Sequence, residues 1–447
     1  MATDKGVQPR MFLRAAVTTL AGLLSAGAVW AQQRPAGGET ATELPRSGWY
    51  IFNASAYSGY MHSALPQPGL NSLLSTVPLG SDMQNGAALS VGWRHFRNRS
   101  SVSLTYNPSY YGLVRNSEWS ALNHSLSLRA TSTFAYKWDA EFAATGTVRS
   151  LDGFLFTPSA VSAFVSAPST AANRAAPTGA ALAESPLTAV LYSSRVLNSS
   201  LNGSLKYRYS PRLSVHFEAS GSRTQPLSSG QPAGASSHGI VQRLTSGSAG
   251  AGLSYSLSPK TDLGVEASEG RYQSDLVDAY LTKVSGTVGH RFGMHWSLQG
   301  GGGAAEVRPL QVRGPVSQGL QIVAHGSAAY RILSQSFLAT VDRTPTSLYG
   351  IAGGYTLSTG GAWQWRRPGS AWEVSANLRQ QRFRTVTAQN LDGWIGGGSV
   401  FRSMTRRSGL QFTYTYMNNS GGYVSGLREM KVHAVQVAVV WRNGTQQ

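Results

Sequence analysis

Apolar and polar residues alternate along this chain with a period of two. The clearest stretch runs from Leu197 to Tyr209, where Leu197, Leu201, Leu205, Tyr207 and Tyr209 interleave with Asn198, Ser200, Asn202, Ser204, Lys206 and Arg208. Such a segment is a strand with one apolar and one wet face. Ser210-Pro211-Arg212 turns the chain, and Leu213, Val215, Phe217 and Ala219 then alternate with Ser214, His216, Glu218 and Ser220. The pair forms a hairpin.

The same unit recurs around Ser258-Pro259-Lys260-Thr261 and around Arg367-Pro368-Gly369-Ser370. Eight tight turns are read near residues 98, 137, 211, 259, 293, 334, 368 and 406. Each joins strands long enough to cross a hydrocarbon layer, which takes about 9 to 11 tilted residues. A first strand near Trp49 to Tyr57 and a last one from Lys431 to Val440 bring the count to 18. The first is the weakest of these, and sixteen strands is the alternative.

Long polar connections alternate with the tight turns, over about 59–85, 111–121, 151–197, 224–243, 274–278, 307–319, 344–350, 384–393 and 419–430. Short turns at one end and long loops at the other is the asymmetry of an outer-membrane barrel, with short turns periplasmic. The predicted fold is therefore all-β: a single transmembrane antiparallel up-and-down β-barrel over residues 47–447, both ends periplasmic.

Composition supports the membrane over water. Only 13% of the 447 residues are charged, and 50 are glycine; soluble domains carry about twice that charge. Tyr136, Trp138, Tyr207, Tyr209, Tyr255, Trp296, Tyr330, Trp365 and Trp372 fall close to the short turns, where an interfacial girdle belongs. The competing reading is a soluble β-sandwich or solenoid. It would need several cores, and no linker divides the chain.

Residues 1–31 read as a signal peptide. Lys5, Arg10 and Arg14 precede an apolar run from Ala15 to Val29, and Val29-Trp30-Ala31 places the cut after Ala31. Gly, Pro and Glu then mark residues 32–46 as a flexible periplasmic leader. Cysteine is absent, which excludes disulfides, thiolate metal sites and a cysteine nucleophile. The formal charge of +18 invites a nucleic-acid reading, but the arginines are spread singly rather than clustered among aromatics. Nucleic acid is not an expected partner.

In this organisation the chain resembles the porin superfamily of bacterial outer-membrane barrels. The runs Tyr-Arg-Tyr-Ser-Pro-Arg at 207–212 and Tyr-Ser-Leu-Ser-Pro-Lys-Thr at 255–261 are also similar to turns of barrels found with exopolysaccharide and protein-sorting systems. They are turn chemistry, in which Pro presets φ and Ser caps. The resemblance implies a channel for small hydrophilic or anionic solutes, outer-membrane lipid and the barrel-assembly machinery as partners, and a homotrimer as one assembly. It also implies that segment 151–197 folds into the barrel, placing Asp152, Arg174, Glu184 and Arg195 at a constriction. An external loop is the alternative, since Pro158, Pro168, Pro177 and Pro186 sit among Ala and Ser. Porins commonly end on an aromatic residue; here Trp441 stands six residues before the end.

The wet faces contribute Arg129, Arg149, Lys206, Arg208, Lys283, Arg331 and Arg379 against Asp139, Glu141, Glu218, Glu266 and Glu373. A modestly basic lumen follows, which favours anionic or neutral solutes. Alternatively, the same side chains pair across strands and fill the lumen. A register error of one residue would exchange the faces.

No nucleophile elbow, zinc-protease helix or phosphate-binding glycine loop occurs. His325 and Ser327 share one strand face at a spacing similar to the base and nucleophile of outer-membrane phospholipases, without the Asn-Gly-Arg those enzymes carry nearby. His290 with His295, and His216 with Glu218, are two-ligand pairs short of a metal site. The reading is therefore a channel with no chemical step and no cofactor, with an exopolysaccharide export conduit or an adhesive barrel acting through its loops as alternatives.

Overall fold

The computed structural model describes residues 47–64, 80–115, 120–150, 195–227, 243–274, 277–312, 319–346, 354–367, 369–384, 390–420 and 429–442. These carry eighteen strands: β1 (Gly48–Ala64), β2 (Gly80–Arg97), β3 (Ser100–Leu113), β4 (Ala121–Phe134), β5 (Trp138–Ser150), β6 (Arg195–Arg208), β7 (Leu213–Pro226), β8 (Leu244–Ser258), β9 (Thr261–Ser274), β10 (Val277–Phe292), β11 (Trp296–Val312), β12 (Gly319–Ile332), β13 (Gln335–Thr346), β14 (Gly354–Arg366), β15 (Trp372–Arg384), β16 (Asn390–Ser403), β17 (Ser408–Ser420) and β18 (Glu429–Arg442). Residues 1–46, read as a signal peptide and leader, and most of the longest connection, Asp152, Arg174 and Glu184 included, lie outside the described residues.

Every strand pairs antiparallel with its sequence neighbours, and β1 pairs with β18 from Asn53↔Arg442 to Ala64↔Lys431. The sheet is a closed up-and-down barrel. Asn53 beside Arg442 puts the start of β1 and the end of β18 together at the short-turn end, as an even strand number requires.

Eight tight turns stand near the residues expected from the sequence, several of them built on Pro, Gly or Ser. Ser210 Oγ accepts from the backbone N–H of Arg212 at 3.3 Å and of Leu213 at 3.0 Å. Ser258 Oγ does the same for Lys260 N, at 3.2 Å, and Ser370 Oγ for Trp372 N, at 3.1 Å. Thr405 Oγ1 takes this role for Ser408 N at 3.0 Å. Each hydroxyl satisfies a backbone donor that the ladder leaves over at a hairpin end.

The strands run further toward the loop end than the alternation suggested. β1 reaches Ala64 rather than Tyr57, and β2 begins at Gly80 rather than past residue 85. Arg195, expected in the longest loop, opens β6 opposite Ser150. The cause is that outward positions near this end are polar: Arg271, Asp278 and Arg308 stand where the strands rise above hydrocarbon. There the apolar half of the pattern stops while the hydrogen-bond ladder continues.

Exposure separates the two faces. On β8 it alternates residue by residue, with Leu253 51% exposed and Leu257 56%, while Gly252 between neighbouring strands is buried. Val265, Leu201 and Val284, at outward positions on other strands, are also about half exposed. Large apolar side chains point outward on nearly every strand, which only a lipid solvent makes favourable. Near the short turns the outward face is aromatic: ring centroids are 4.6 Å apart for Trp138 and Tyr207 and 4.5 Å for Trp296 and Tyr330, with Phe337 and Trp363 continuing the girdle. The described residues form a membrane-spanning β-barrel. No helix among the described residues is long and apolar enough to cross a membrane, as a strand-built span requires none.

Several inward side chains lie across a glycine of the next strand. A Cβ on Gly86 would strike the Tyr57 ring, and one on Gly252 the His216 ring. Gly86→Val is expected to displace Tyr57 and lower stability by about 1–3 kcal/mol, read by equilibrium urea unfolding in liposomes. A face test accompanies it. Leu253→Arg is expected to cost about 2–4 kcal/mol near mid-span, whereas Ser254→Arg, one residue on, should be nearly neutral; equal costs would show the faces to be assigned wrongly.

Candidate functional site

The inner face is the surface that a solute would meet, and strand alternation decides what lines it. Registers carry the assignment around the barrel: Lys206 opposes His216, Glu218 opposes Gly250, Gly252 opposes Glu266, and Lys283 opposes Ser268. On the other side His325 opposes Asp342 and Arg331 opposes Ser336. Arg129, Lys206, Arg208, Glu218, Glu266, Lys283, Arg331, Glu373 and Arg379 all fall on this one face by register. Arg149 holds the backbone position opposite Val196, at the loop end of β5.

The inner face divides into three parts. On β4–β9 acids predominate, and cations sit among them. Arg129 Nη2 lies 2.7 Å from Glu141 Oε1, and Arg208 Nε donates to Asp139 Oδ2 at 2.9 Å. Thr133 Oγ1 donates to the same carboxylate at 2.8 Å. His216 lies within the fields of Glu266 and Lys206. Asp262, absent from the sequence-based set, adds a further carboxylate and accepts from Ser256 Oγ at 2.7 Å.

On β10–β15 cations predominate. Asp342 lies within reach of the charges of His325, Lys283 and Arg379, which come from β12, β10 and β15. Glycine makes this convergence sterically open. The inward positions of β11 between Lys283 and His325 are Gly301 and Gly303, and a Cβ on Gly301 would meet the His325 ring. Arg379 Nε also donates to Ser358 Oγ at 2.9 Å, and Glu373 accepts from Gln364 Nε2 at 2.9 Å. Asp342 escaped the sequence reading because it stands in Val341-Asp342-Arg343-Thr344-Pro345, a run resembling a loop start. Inward parity counted from Phe337 and Val341 would have found it.

The remaining third, β16–β18 with β1–β3, presents mostly neutral side chains. Met61 and Tyr111 are fully buried at inward positions, as are Met417, Val432, Gln84 and Gln436 to within 4%. Arg94 and Asp82 are its described charges on this face.

Other candidates separate. His325 and Ser327 both face inward, with Thr340 and Asp342 opposite; a phospholipid substrate lies on the opposite face of the sheet. His290 Nδ1 is bonded to Thr261 Oγ1 at 2.8 Å, and His295 Nδ1 to the Arg331 carbonyl at 2.8 Å, so the two rings point to different partners. Among the described residues no three His, Asp or Glu side chains gather as metal ligands.

No family model matches the chain, and neither does any curated protein. Solved structures of similar strand organisation include Acinetobacter baumannii OccAB4 (9% identity, TM-score 0.41, 90% of this chain and 100% of that one). Pseudomonas aeruginosa OpdK with vanillate is another, at 11% identity and TM-score 0.43 over 87% of this chain and 98% of that one. A third is Pseudomonas aeruginosa OccK2 (OpdF) in complex with glucuronate, at 10% identity and TM-score 0.40 over 88% and 98%.

The ion pairs of the β4–β9 wall are half-open to solvent, with Arg129 53% exposed and Glu141 31%. Pairs of this kind contribute little to stability. Asp139→Asn is therefore expected to change unfolding free energy by less than about 1 kcal/mol, measured in the same liposome assay. A loss of several kcal/mol would mean that the wall is sealed from water.

Proposed function

We propose that the protein is a porin-like channel through which small hydrophilic solutes diffuse passively, with a mild preference for anions. The observation that carries this reading is a closed barrel of 18 strands whose inner face is polar on two thirds of its circumference. Barrels of 16 to 18 strands are wide enough to enclose an aqueous path. Polar groups on such a wall are satisfied by water and by one another, as the half-exposed ion pairs are.

The preference for anions comes from how charge is distributed rather than from its sum. On β4–β9, Asp139 and Glu141 are each engaged by an arginine, which mutes their field. On β10–β15, Lys283, Arg291, Arg331, Arg366 and Arg379 face Asp342 and Glu373. A fixed excess of one sign along a low-dielectric wall concentrates the opposite ion. An anion would move along the β10–β15 wall from Arg379 and Lys283 toward Arg331 and Arg366 near the short-turn mouth. Segment 151–194, which the reading assigns to the loop side, would narrow this path if it folds inward, bringing Asp152, Arg174 and Glu184 near it.

Purified protein in a planar bilayer under a salt gradient tests the reading. Discrete conductance with a reversal potential on the anion side is expected. Lys283→Glu with Arg379→Glu should carry the reversal potential across zero to the cation side. Folded protein without conductance would overturn the channel. Conductance with an unchanged reversal potential in the double variant would overturn the proposed anion path.

A further inference from the structure

Charge also appears on the outward face, where it is unusual, and it falls into two groups of different balance. Over β9–β11, Arg271 is bidentate to Asp278, with Nε to Oδ1 at 3.0 Å and Nη2 to Oδ2 at 2.7 Å, and Arg308 Nη2 meets Glu306 Oε2 at 2.7 Å. With Glu269 on the same face and in the field of Arg308, that group has no excess of cation. Over β13–β16 the balance differs. Arg343, Leu357, Arg382 and Asp392 form one row across four strands, and Tyr355 opposes Arg384 in the next row. Three guanidinium groups there face one carboxylate.

Asp392 is shared: Arg384 Nη1 lies 3.4 Å from its Oδ1 and Arg382 Nε 3.9 Å. Arg343 stands three strands from Asp392 along this row; its guanidinium lies over the Tyr355 ring at 4.3 Å, and its Nε–H, closed to solvent, has no acceptor among the described residues. Lys431 stands nearby at the end of the row through Gln380, Trp394 and Asn418.

The depth of this group decides what could neutralise it. Trp372, in the short-turn girdle, and Arg382 share the outward face of β15, ten residues apart. At about 3.3 Å per residue and a tilt near 40°, that is roughly 25 Å along the membrane normal, the height of the apolar band. Below the arginines the outward positions are lipid-facing: Val341 is 44% exposed, Leu378 51% and Trp394 39%. The guanidinium groups therefore stand at the level of lipid headgroups in the outer leaflet, with apolar surface for acyl chains directly beneath.

We propose that the outward face of β13–β16 binds a phosphate-bearing lipid of the outer leaflet, its phosphate held by Arg343, Arg382 and Arg384. Guanidinium forks match phosphate oxygens bidentately. The Tyr355 ring holds the Arg343 guanidinium in place, and no carboxylate adjoins it on the neighbouring strands. An acylated, phosphorylated headgroup satisfies both requirements of the surface, charge above and hydrocarbon below. The group on β9–β11 has no such excess of cation and would not compete.

The test uses the full-length barrel in detergent and native mass spectrometry. Three probes are compared: a bisphosphorylated acyl-glucosamine disaccharide, its phosphate-free counterpart, and inorganic phosphate. Wild type is expected to retain the phosphorylated lipid and lose it on Arg343→Gln/Arg382→Gln/Arg384→Gln, with affinity falling on the order of a hundredfold for three charges. Arg271→Gln/Arg308→Gln should leave binding unchanged. The comparison of the two lipids on wild type needs no variant, so a poorly folding triple variant leaves the proposal open to refutation. Equal retention of the phosphate-free lipid would overturn it, as would equal competition by inorganic phosphate, which would mark a site for free anions instead.

Discussion

Hydrocarbon offers the backbone no hydrogen-bond partner, and the rest of this structure follows from that. An N–H or C=O left unpaired in the bilayer costs several kcal/mol, so a sheet that crosses it must have no edge. Pairing of β1 with β18 removes both edges at once. Closure in turn assigns every residue to one of two solvents. Alternate positions face lipid and must be apolar; the others face the interior and are free to be polar, charged or glycine.

This constraint explains what could be read from the chain. Strand pattern and turn chemistry are local, and both were legible: Ser210, Ser258 and Ser370 cap their turns through the very hydroxyls that the Ser-Pro and Gly-Ser runs suggest. The count of 18 follows from them. Strand ends were less legible, because Arg271, Asp278 and Arg308 break the apolar alternation while the ladder continues past them. An outward charge above the hydrocarbon resembles a loop residue when only the sequence is seen.

The inner face was legible in membership and not in arrangement. Lys206, Lys283 and Arg379 could be placed on the wet side from periodicity alone, but which of these charges lie within reach of one another could not. Reach depends on the register between strands and on the size of the side chains that stand between them. Asp342 of β13 lies in the fields of Lys283 of β10 and Arg379 of β15, and Gly301 and Gly303 leave β11 low along the way. Glycine here has a structural role that hydropathy does not register. The acidic and basic thirds follow the order of the strands along the chain, and closure of β18 on β1 completes the neutral one.

The central claim is that alternate residues face water inside and lipid outside. Because the native chain has no cysteine, a single introduced cysteine carries a unique nitroxide label, and labels stepped from Gly250 to Ser256 on β8 report the solvent at each position. Accessibility to a polar paramagnetic reagent should peak at the even positions, and accessibility to oxygen at the odd ones, with period two in liposomes. Even positions closed to both reagents would contradict an aqueous interior, and loss of the alternation would contradict the barrel itself.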